Sequence, residues 1–300
     1  MKEFLMDIRK NKSLFIILLP VLAFFLIFNY LPMGGLIMAF ENYTPKGGFL
    51  HSSFVGFKHF EDFFGSVYFG RLLRNTIAIS VLNLIFGFPA PIIFALLLNE
   101  VNNKIFKKTL QTVSYLPYFI SLVIVCGLVA DFTASDGPIT ELIVSLGGER
   151  MNYLGQPEYF RPIYILSDMW QGIGFSSIIY LAALSGIDQE LYEAAQLDGA
   201  NRWKQLIHIT LPGISTTIIT LLILRMGTMF AVGYEKIILL YSTSTYETAD
   251  VISSYVYRKG LQEFNYGYSS AVGLFNSVIN TILLVISNKL SAKFTETSLF

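Results

Sequence analysis

Long apolar stretches alternate with shorter polar segments along most of the chain of 300 residues. An α-helix needs about 20 mainly apolar residues to cross the roughly 30 Å hydrocarbon core of a bilayer. Stretches of about that length predict six membrane spans, at about residues 14–40, 75–98, 109–130, 163–184, 213–232 and 268–287. The pattern therefore predicts an all-α polytopic membrane protein, with tails at 1–12 and 293–300 and a transmembrane domain at 13–292.

Positive charge between the apolar stretches predicts the orientation of the chain. Cationic residues lie in the first tail, in the turn after the second span and near the last tail, at Lys2, Arg9, Lys10, Lys12, Lys104, Lys107, Lys108, Lys289 and Lys293. Lysine and arginine accumulate on the cytoplasmic side of a membrane. We therefore expect both termini in the cytosol, and by the same count the segment between the fourth and fifth spans lies there too.

Composition supports the membrane assignment and narrows the class of function. Hydrophobic residues make up 53% of the chain and charged residues 14%, whereas soluble domains carry about 25% charged residues. The formal net charge is zero, so a nucleic-acid partner has no electrostatic support. Cys126 is the single cysteine, which excludes an intramolecular disulfide. The three histidines are scattered without the spacing of metal ligands, and we expect no metal site.

The longest polar, helix-favouring segment runs from Gly186 to Pro212, GIDQELYEAAQLDGANRWKQLIHITLP. Its acidic first half favours a helix start, and Gly199 supplies a turn that a residue with a Cβ would resist. In the second half Trp203, Leu206 and Ile207 recur at helical spacing, so one side is apolar. The segment is predicted to be a helix–turn–helix at the membrane surface that ends at Leu211-Pro212.

This segment resembles the EAA loop of ABC importer permeases. The matching residues are Glu193-Ala194-Ala195, Asp198-Gly199-Ala200, Ile209 and Leu211-Pro212, with Leu206 where that family often has Phe. LFIILLPVLAFFLIFNYLPMGG and TLQTVSYLPYFIS are similar to segments of the carbohydrate permeases. The segment from Val232 to Leu261 is similar to the subgroup that handles oligosaccharides and polysaccharide fragments.

The resemblance implies a type I ABC importer permease fold with six transmembrane helices and a cytosolic coupling helix, in a bacterial plasma membrane. Implied partners are a second homologous permease subunit, two cytosolic ATPase subunits and an extracellular solute-binding lipoprotein, with a sugar as substrate. The chain has no GxxxxGK[ST] motif, so ATP and Mg²⁺ would be bound by the partner subunits, and we expect neither a cofactor nor an enzymatic activity here. The alternatives are an importer of amino acids or phosphate, a secondary transporter and a multipass membrane enzyme.

The resemblance also assigns residues to ATPase coupling. They are Glu193, Ala194, Ala195, Asp198, Gly199, Ala200, Trp203, Leu206, Ile209 and Pro212. Glu193 would pair with a basic residue of the ATPase, and Asp198 is a candidate cap for the second short helix. The apolar residues Trp203, Leu206 and Ile207 would pack the loop against the permease core and contact the ATPase. The alternative is an interfacial helix that only connects two spans, with Glu193 as a solvated carboxylate.

A charged residue and several aromatic and amide side chains at membrane depth are candidates for the translocation path. Arg225 lies about midway along the fifth predicted span, where an unpaired guanidinium is costly. It would line the path or pair with an acid, and Glu235 with Lys236 are candidate partners. Sugar-binding chemistry, which needs aromatic faces and planar polar groups, is offered by Asn83, Trp170, Gln171, Tyr180 and Tyr234. Packing or an aromatic belt explains these residues equally well, and helix packing explains Gly172 and Gly174.

Overall fold

The protein, examined as a computed structural model, is described over residues 10–295 and is predominantly helical there. Most of the two predicted tails, including Lys2 and Arg9, lies outside the described residues. The chain divides into two compact units. The first comprises the chain up to Gly65 together with Val256–Leu274, and the second comprises Ser66–Tyr255 and the residues from Phe275 onward.

The first unit begins with a long apolar helical segment and contains a short β-hairpin. Its elements are α1 (Lys12–Phe25), a π-helical turn (Leu26–Tyr30), α2 (Leu31–Met33), a 3-10 helix (Gly34–Phe40), β1 (Glu41–Asn42), α3 (Gly48–His51), β2 (Ser53–Phe54) and α4 (Lys58–Phe64). The strands pair antiparallel, with Glu41 opposite Phe54. His59 Nε2 lies 3.0 Å from the carbonyl oxygen of Glu41, which ties α4 to the hairpin.

The second unit contains most of the helices. In chain order they are α5 (Phe69–Leu82), a π-helical turn (Asn83–Gly87), α6 (Pro89–Asn99), α7 (Lys104–Tyr115), a 3-10 helix (Leu116–Phe119), α8 (Leu122–Thr133), α9 (Pro138–Ser145), α10 (Pro157–Ser185), α11 (Gln189–Leu197), α12 (Arg202–Gln205), a π-helical turn (Leu206–Thr210), α13 (Leu211–Gly213), α14 (Ser215–Gly227), a 3-10 helix (Met229–Ala231), α15 (Tyr234–Leu240), a 3-10 helix (Thr243–Thr245) and α16 (Tyr246–Ala249). Residues of both units form α17 (Ile252–Tyr257) and α18 (Tyr266–Thr295), which flank a π-helical turn (Arg258–Gln262).

Four helical segments among the described residues are long and apolar enough to cross a membrane: Lys12–Phe40, Phe69–Asn99, Leu122–Ser145 and Tyr266–Lys293. Two further segments pass the same test only as bent pairs. Pro157–Ser185 meets Gln189–Leu197 at 68°, and Arg202–Gly213 meets Ser215–Gly227 at 59°. The protein is therefore membrane-embedded. It has four to six candidate spans, a range that contains the predicted six but does not establish that number.

Several helices begin or end away from the predicted span ends, for local reasons. α7 already begins at Lys104, because the side chain of Asn103 accepts hydrogen bonds from the amides of Ile105 and Phe106. The predicted third span is interrupted after α7, where Pro117 opens a 3-10 helix. α10 begins at Pro157, because proline fits the first turn of a helix, where no amide donor is needed.

The long helix α10 is the centre of the second unit and packs against helices α5 to α8 and α14. A Cβ at Gly174 would overlap the backbone carbonyl of Ser114 on α7, so the two backbones touch at this point. The predicted role of a glycine in close helix packing is confirmed for Gly174. It is wrong for Gly172, where a Cβ would have no atom within 4 Å.

Candidate functional site

The predicted helix–turn–helix is present between α10 and α14. Asp188 caps α11, with its carboxylate accepting from the amide of Glu190 at 3.0 Å. Asn201 caps α12 in the same way, accepting from the amide of Lys204 at 2.9 Å. The expectation that Asp198 caps the second helix is wrong: Asp198 ends α11 and Asn201, three residues later, has the extended backbone of an N-cap.

The turn between the two helices is a Schellman motif. The amide of Gly199 donates to the carbonyl of Gln196 at 3.0 Å, and that of Ala200 donates to the carbonyl of Ala195 at 2.8 Å. Gly199 has φ +74°, a conformation that residues with a Cβ rarely adopt, and a Cβ there would meet no atom within 4 Å. The predicted need for glycine is confirmed, and its cause is the backbone angle and not lack of space.

Two side chains attach this loop to the rest of the unit. The hydroxyls of Tyr192 and Thr210 lie 2.9 Å apart and join α11 to the π-helical turn after α12. Tyr192 and Ile209 pack against a buried cluster that includes Ile187 and Ile214, the residues at the two ends of the loop. The loop is therefore held at its base, and Tyr192 is a contact residue that the motif did not reveal.

The outer side of the loop is exposed and partly apolar. The side chain of Trp203 is 68% exposed and that of Leu197 is 90% exposed. The expectation that Trp203 packs against the core is wrong for the core of this chain, because Trp203 is exposed and Tyr192 and Ile209 make the contact with the buried cluster. Ile207 of the same expectation is exposed as well. Glu193 is also exposed, and among the described residues its carboxylate accepts no hydrogen bond and forms no ion pair. Of the remaining motif residues, Ala194 and Pro212 are exposed and Leu206 is half-buried.

A cavity of about 450 Å³ lies where α5, α10, α14 and α15 approach one another, and we call it the polar cavity because Asp168, Arg225 and Lys236 are among its lining residues. A second cavity of about 750 Å³ shares four of its lining residues, Asn83, Asp168, Arg225 and Thr228. These residues belong to three different parts of the chain. The two cavities therefore meet at one small cluster of polar side chains.

A chain of hydrogen bonds connects that cluster. Arg225 Nη2 donates to Asn83 Oδ1 at 2.7 Å, and Asn83 Nδ2 donates to Asp168 Oδ2 at 3.0 Å. Lys236 Nζ lies 3.4 Å from the other carboxylate oxygen of Asp168 and 5.3 Å from the centre of the Tyr164 ring. The Lys236 side chain is only 4% exposed, against 39% for Asp168. The buried ammonium therefore has a carboxylate and an aromatic face as neighbours.

This arrangement corrects the prediction for Arg225. Its side chain bonds to the neutral amide of Asn83, and neither Glu235 nor Lys236 is its partner. Arg225 lies in the last turn of α14, which ends at Gly227, and not midway along a span that continues to residue 232. Asp168 was missed, although a carboxylate in the apolar sequence of the fourth span was a visible signal.

The other candidates for the translocation path are distributed unevenly. Tyr234 and Glu235 line the polar cavity with Asn83 and Arg225. Trp170 lines a separate, largely apolar cavity of about 920 Å³. Tyr180 is buried beside the base of the loop and also lines the cavity of about 750 Å³, whereas Gln171 lines none of these three cavities. The structure thus places four of the seven predicted residues in the smaller cavity and a fifth, Tyr180, in the larger cavity that shares Asn83 and Arg225 with it.

Comparison with known proteins identifies relatives over nearly the full length of the chain. It is 45% identical to Protein LplB of Bacillus subtilis (strain 168), covering 98% of this chain and 92% of the relative. It is 44% identical to the polygalacturonan/rhamnogalacturonan transport system permease protein YteP of the same organism, covering 100% and 94%. The fold matches a subunit in the crystal structure of a bacterial ABC transporter involved in the import of the acidic polysaccharide alginate. That match has a TM-score of 0.90 and 47% identity, and it covers 98% of this chain and 99% of the other.

The family comparison agrees with these relatives. Residues 87–296 match the family described as binding-protein-dependent transport system inner membrane component. This match includes the loop, α14 and Arg225. Members of this family are transport components and not enzymes. The chain belongs to the family of binding-protein-dependent transport system inner membrane components.

Proposed function

We propose that this chain is the transmembrane permease subunit of an ATP-driven importer that carries oligosaccharides or polysaccharide fragments into the cell by alternating access. The observation that supports ATP coupling is the loop itself, a capped helix pair attached at its base and exposed at its tip. The named substrates of relatives that are 44% and 47% identical support the sugar cargo. The second of these supports favours a sugar over amino acids or phosphate as the cargo.

The proposal includes a topology with six spans and both termini in the cytosol. Each bent helix pair would contribute one span, which adds two spans to the four long apolar helices. The loop would then emerge on the cytosolic face of a bacterial plasma membrane. The tails at 1–12 and 293–300 would flank a transmembrane domain at 13–292.

The proposed assembly contains a second homologous permease subunit, two cytosolic ATPase subunits and an extracellular solute-binding lipoprotein. A solved relative, the bacterial alginate ABC transporter, was crystallised in complex with an alginate pentasaccharide-bound periplasmic protein. That complex supports the binding protein as a partner. ATP and Mg²⁺ would be bound by the ATPase subunits.

In this assembly the exposed tip of the loop would dock in a cleft of one ATPase subunit. Glu193 would pair with a basic side chain there, while Trp203 and Leu197 would supply the apolar contact that their exposure leaves available. Gly199 would fix the angle between the two short helices. Closure of the ATPase dimer on ATP would draw the paired loops together and open the cavity outward.

The test is the ATPase activity of the complete complex, stimulated by the loaded binding protein, with a panel of acidic and neutral oligosaccharides. We expect Glu193→Ala and Gly199→Val each to lower stimulated activity and uptake by about tenfold or more, since an interfacial ion pair and a left-handed turn are worth roughly 1–3 kcal/mol each. Glu190→Ala is the matched control, because Glu190 is an exposed acid of the same helix outside the motif. Normal stimulation in both motif variants would overturn the coupling role, and import of no oligosaccharide would overturn the cargo.

A further inference from the structure

The polar cluster between the two cavities contains two cations and one carboxylate, that of Asp168. Asp168 uses one carboxylate oxygen for Lys236 and the other for Asn83, so its charge is matched by the buried ammonium. Arg225 has five N–H donors, and among the described residues its side chain makes one hydrogen bond, to the neutral Asn83. Its charge therefore has no carboxylate partner in this cluster.

Arg225 is also accessible from both cavities. It lines the smaller polar cavity and the larger one, and its side chain is exposed. Glu235, the other acid of the smaller cavity, is exposed as well, and among the described residues no hydrogen bond joins it to the cluster. Water around that exposed carboxylate weakens its field at a distance.

We propose that Arg225 binds the carboxylate of a uronic acid unit as an acidic oligosaccharide passes through this chain, and that Asn83 is its positioning residue. The inference rests on the proposed function and narrows its cargo from sugars in general to acidic ones. A guanidinium suits this role because its planar fork pairs with both oxygens of a carboxylate. The bond to Asn83 uses one of the two hydrogens on Nη2, so the edge of the guanidinium that does not face Asn83 keeps two parallel N–H donors for such a pair.

The backbone around Asn83 explains how its side chain is held. Asn83 opens the π-helical turn, in which the amide of Phe88 donates to the Asn83 carbonyl at 3.0 Å. Pro89 follows and has no amide to donate, which favours the irregular turn. A Cβ at Gly87 would overlap the Asn83 amide oxygen, the atom that receives the bond from Arg225. Glycine at position 87 therefore leaves room for the side chain that orients the guanidinium.

The role of Arg225 is measurable as charge selectivity. The probes are an oligogalacturonate and its methyl ester, which have the same sugar skeleton and differ in charge. Uptake of each is measured in proteoliposomes with the complete complex and one binding protein, and the variant is compared with wild type for each probe. The ratio of variant uptake to wild-type uptake for each probe does not depend on whether the binding protein itself prefers the acid or the ester.

We expect Arg225→Gln to lower uptake of the free acid by about tenfold, the worth of one charge-assisted pair. Uptake of the methyl ester is expected to change by less than about twofold, because a neutral hydrogen bond is worth little net. Arg225→Lys should fall between wild type and Arg225→Gln for the acid, since it keeps the charge and loses the fork. An equal loss for both probes in Arg225→Gln would show a structural role and overturn the proposal.

Gly87→Ala tests Asn83 without removing any charge. It is expected to lower selectivity for the acid over the ester, while Gly127→Ala leaves it unchanged, because a Cβ at Gly127 on α8 meets no atom within 4 Å. Unchanged selectivity in Gly87→Ala would remove the positioning role of Asn83. Import of neutral oligosaccharides alone by the wild type would overturn the inference and leave the proposed function standing, whereas import of no sugar would overturn both.

Discussion

The hydrogen bond between Tyr192 and Thr210 offers a direct test of how firmly the loop is attached. Tyr192→Phe removes one hydroxyl oxygen and keeps the ring that packs on the cluster around Ile187 and Ile214. Thr210 is not left without a partner, because its hydroxyl also lies 3.3 Å from the carbonyl of Gln205. The expected cost is therefore that of one neutral hydrogen bond, about 1 kcal/mol, or about fivefold in the equilibrium for local opening.

Amide hydrogen exchange of the reconstituted protein measures that opening. The amides of α11 and α12 should exchange about fivefold faster in Tyr192→Phe, because local opening governs their exchange. Amides of α10 should keep their rates. Tyr118→Phe is the control: its ring stacks on Phe175 at 3.9 Å, and among the described residues its hydroxyl forms no hydrogen bond. Unchanged exchange in α11, or an equal rise throughout the chain, would refute the local attachment.

Two further predictions concern helix packing and acid sensitivity. Gly174→Ala should destabilise the protein by about 1–3 kcal/mol in thermal unfolding, because the Ser114 carbonyl that its Cβ would meet belongs to backbone, whereas Gly172→Ala should be tolerated. The hydrogen bond from Arg74 lowers the pKa of the exposed Glu247 below its ordinary value of 4.5. The stability that this pair contributes is thus present above pH 4.5 and lost as pH falls through the lowered pKa. Glu247→Gln should therefore flatten the fall of the melting temperature on the acid side, and parallel curves for the two proteins would contradict this assignment.

The geometry of the loop was predictable because local residue types determine it. A left-handed turn favours glycine strongly, and Gly199 lies between two segments that favour helix. Capping was harder to predict, since Asp198 and Asn201 are both good N-cap residues three positions apart. The choice between them depends on where α11 ends, and single sequences give helix ends poorly.

The polar cluster could be predicted only in part, because its contacts join distant positions. Asn83 and Arg225 are 142 residues apart, and Asn83 and Asp168 are 85 apart. Residue chemistry singled out Arg225 as a charge in an apolar span and Asn83 as a candidate for sugar binding, but periodicity gives no information about which spans meet. Trp170 had equally suitable chemistry for sugar binding and lies instead in an apolar cavity.

The two candidate sites are connected by the helices that enter and leave the loop. α10 carries Asp168 and ends just before Ile187, while α14 carries Arg225 and begins just after Ile214. At about 1.5 Å per residue, Asp168 is roughly 25 Å along α10 from the loop and Arg225 is roughly 15 Å along α14. Rigid helices turning about the buried cluster at their loop ends would therefore displace the two side chains by unequal distances. Asn83 lies on a third helical segment and bonds to both, so such a motion must change at least one of its two hydrogen bonds.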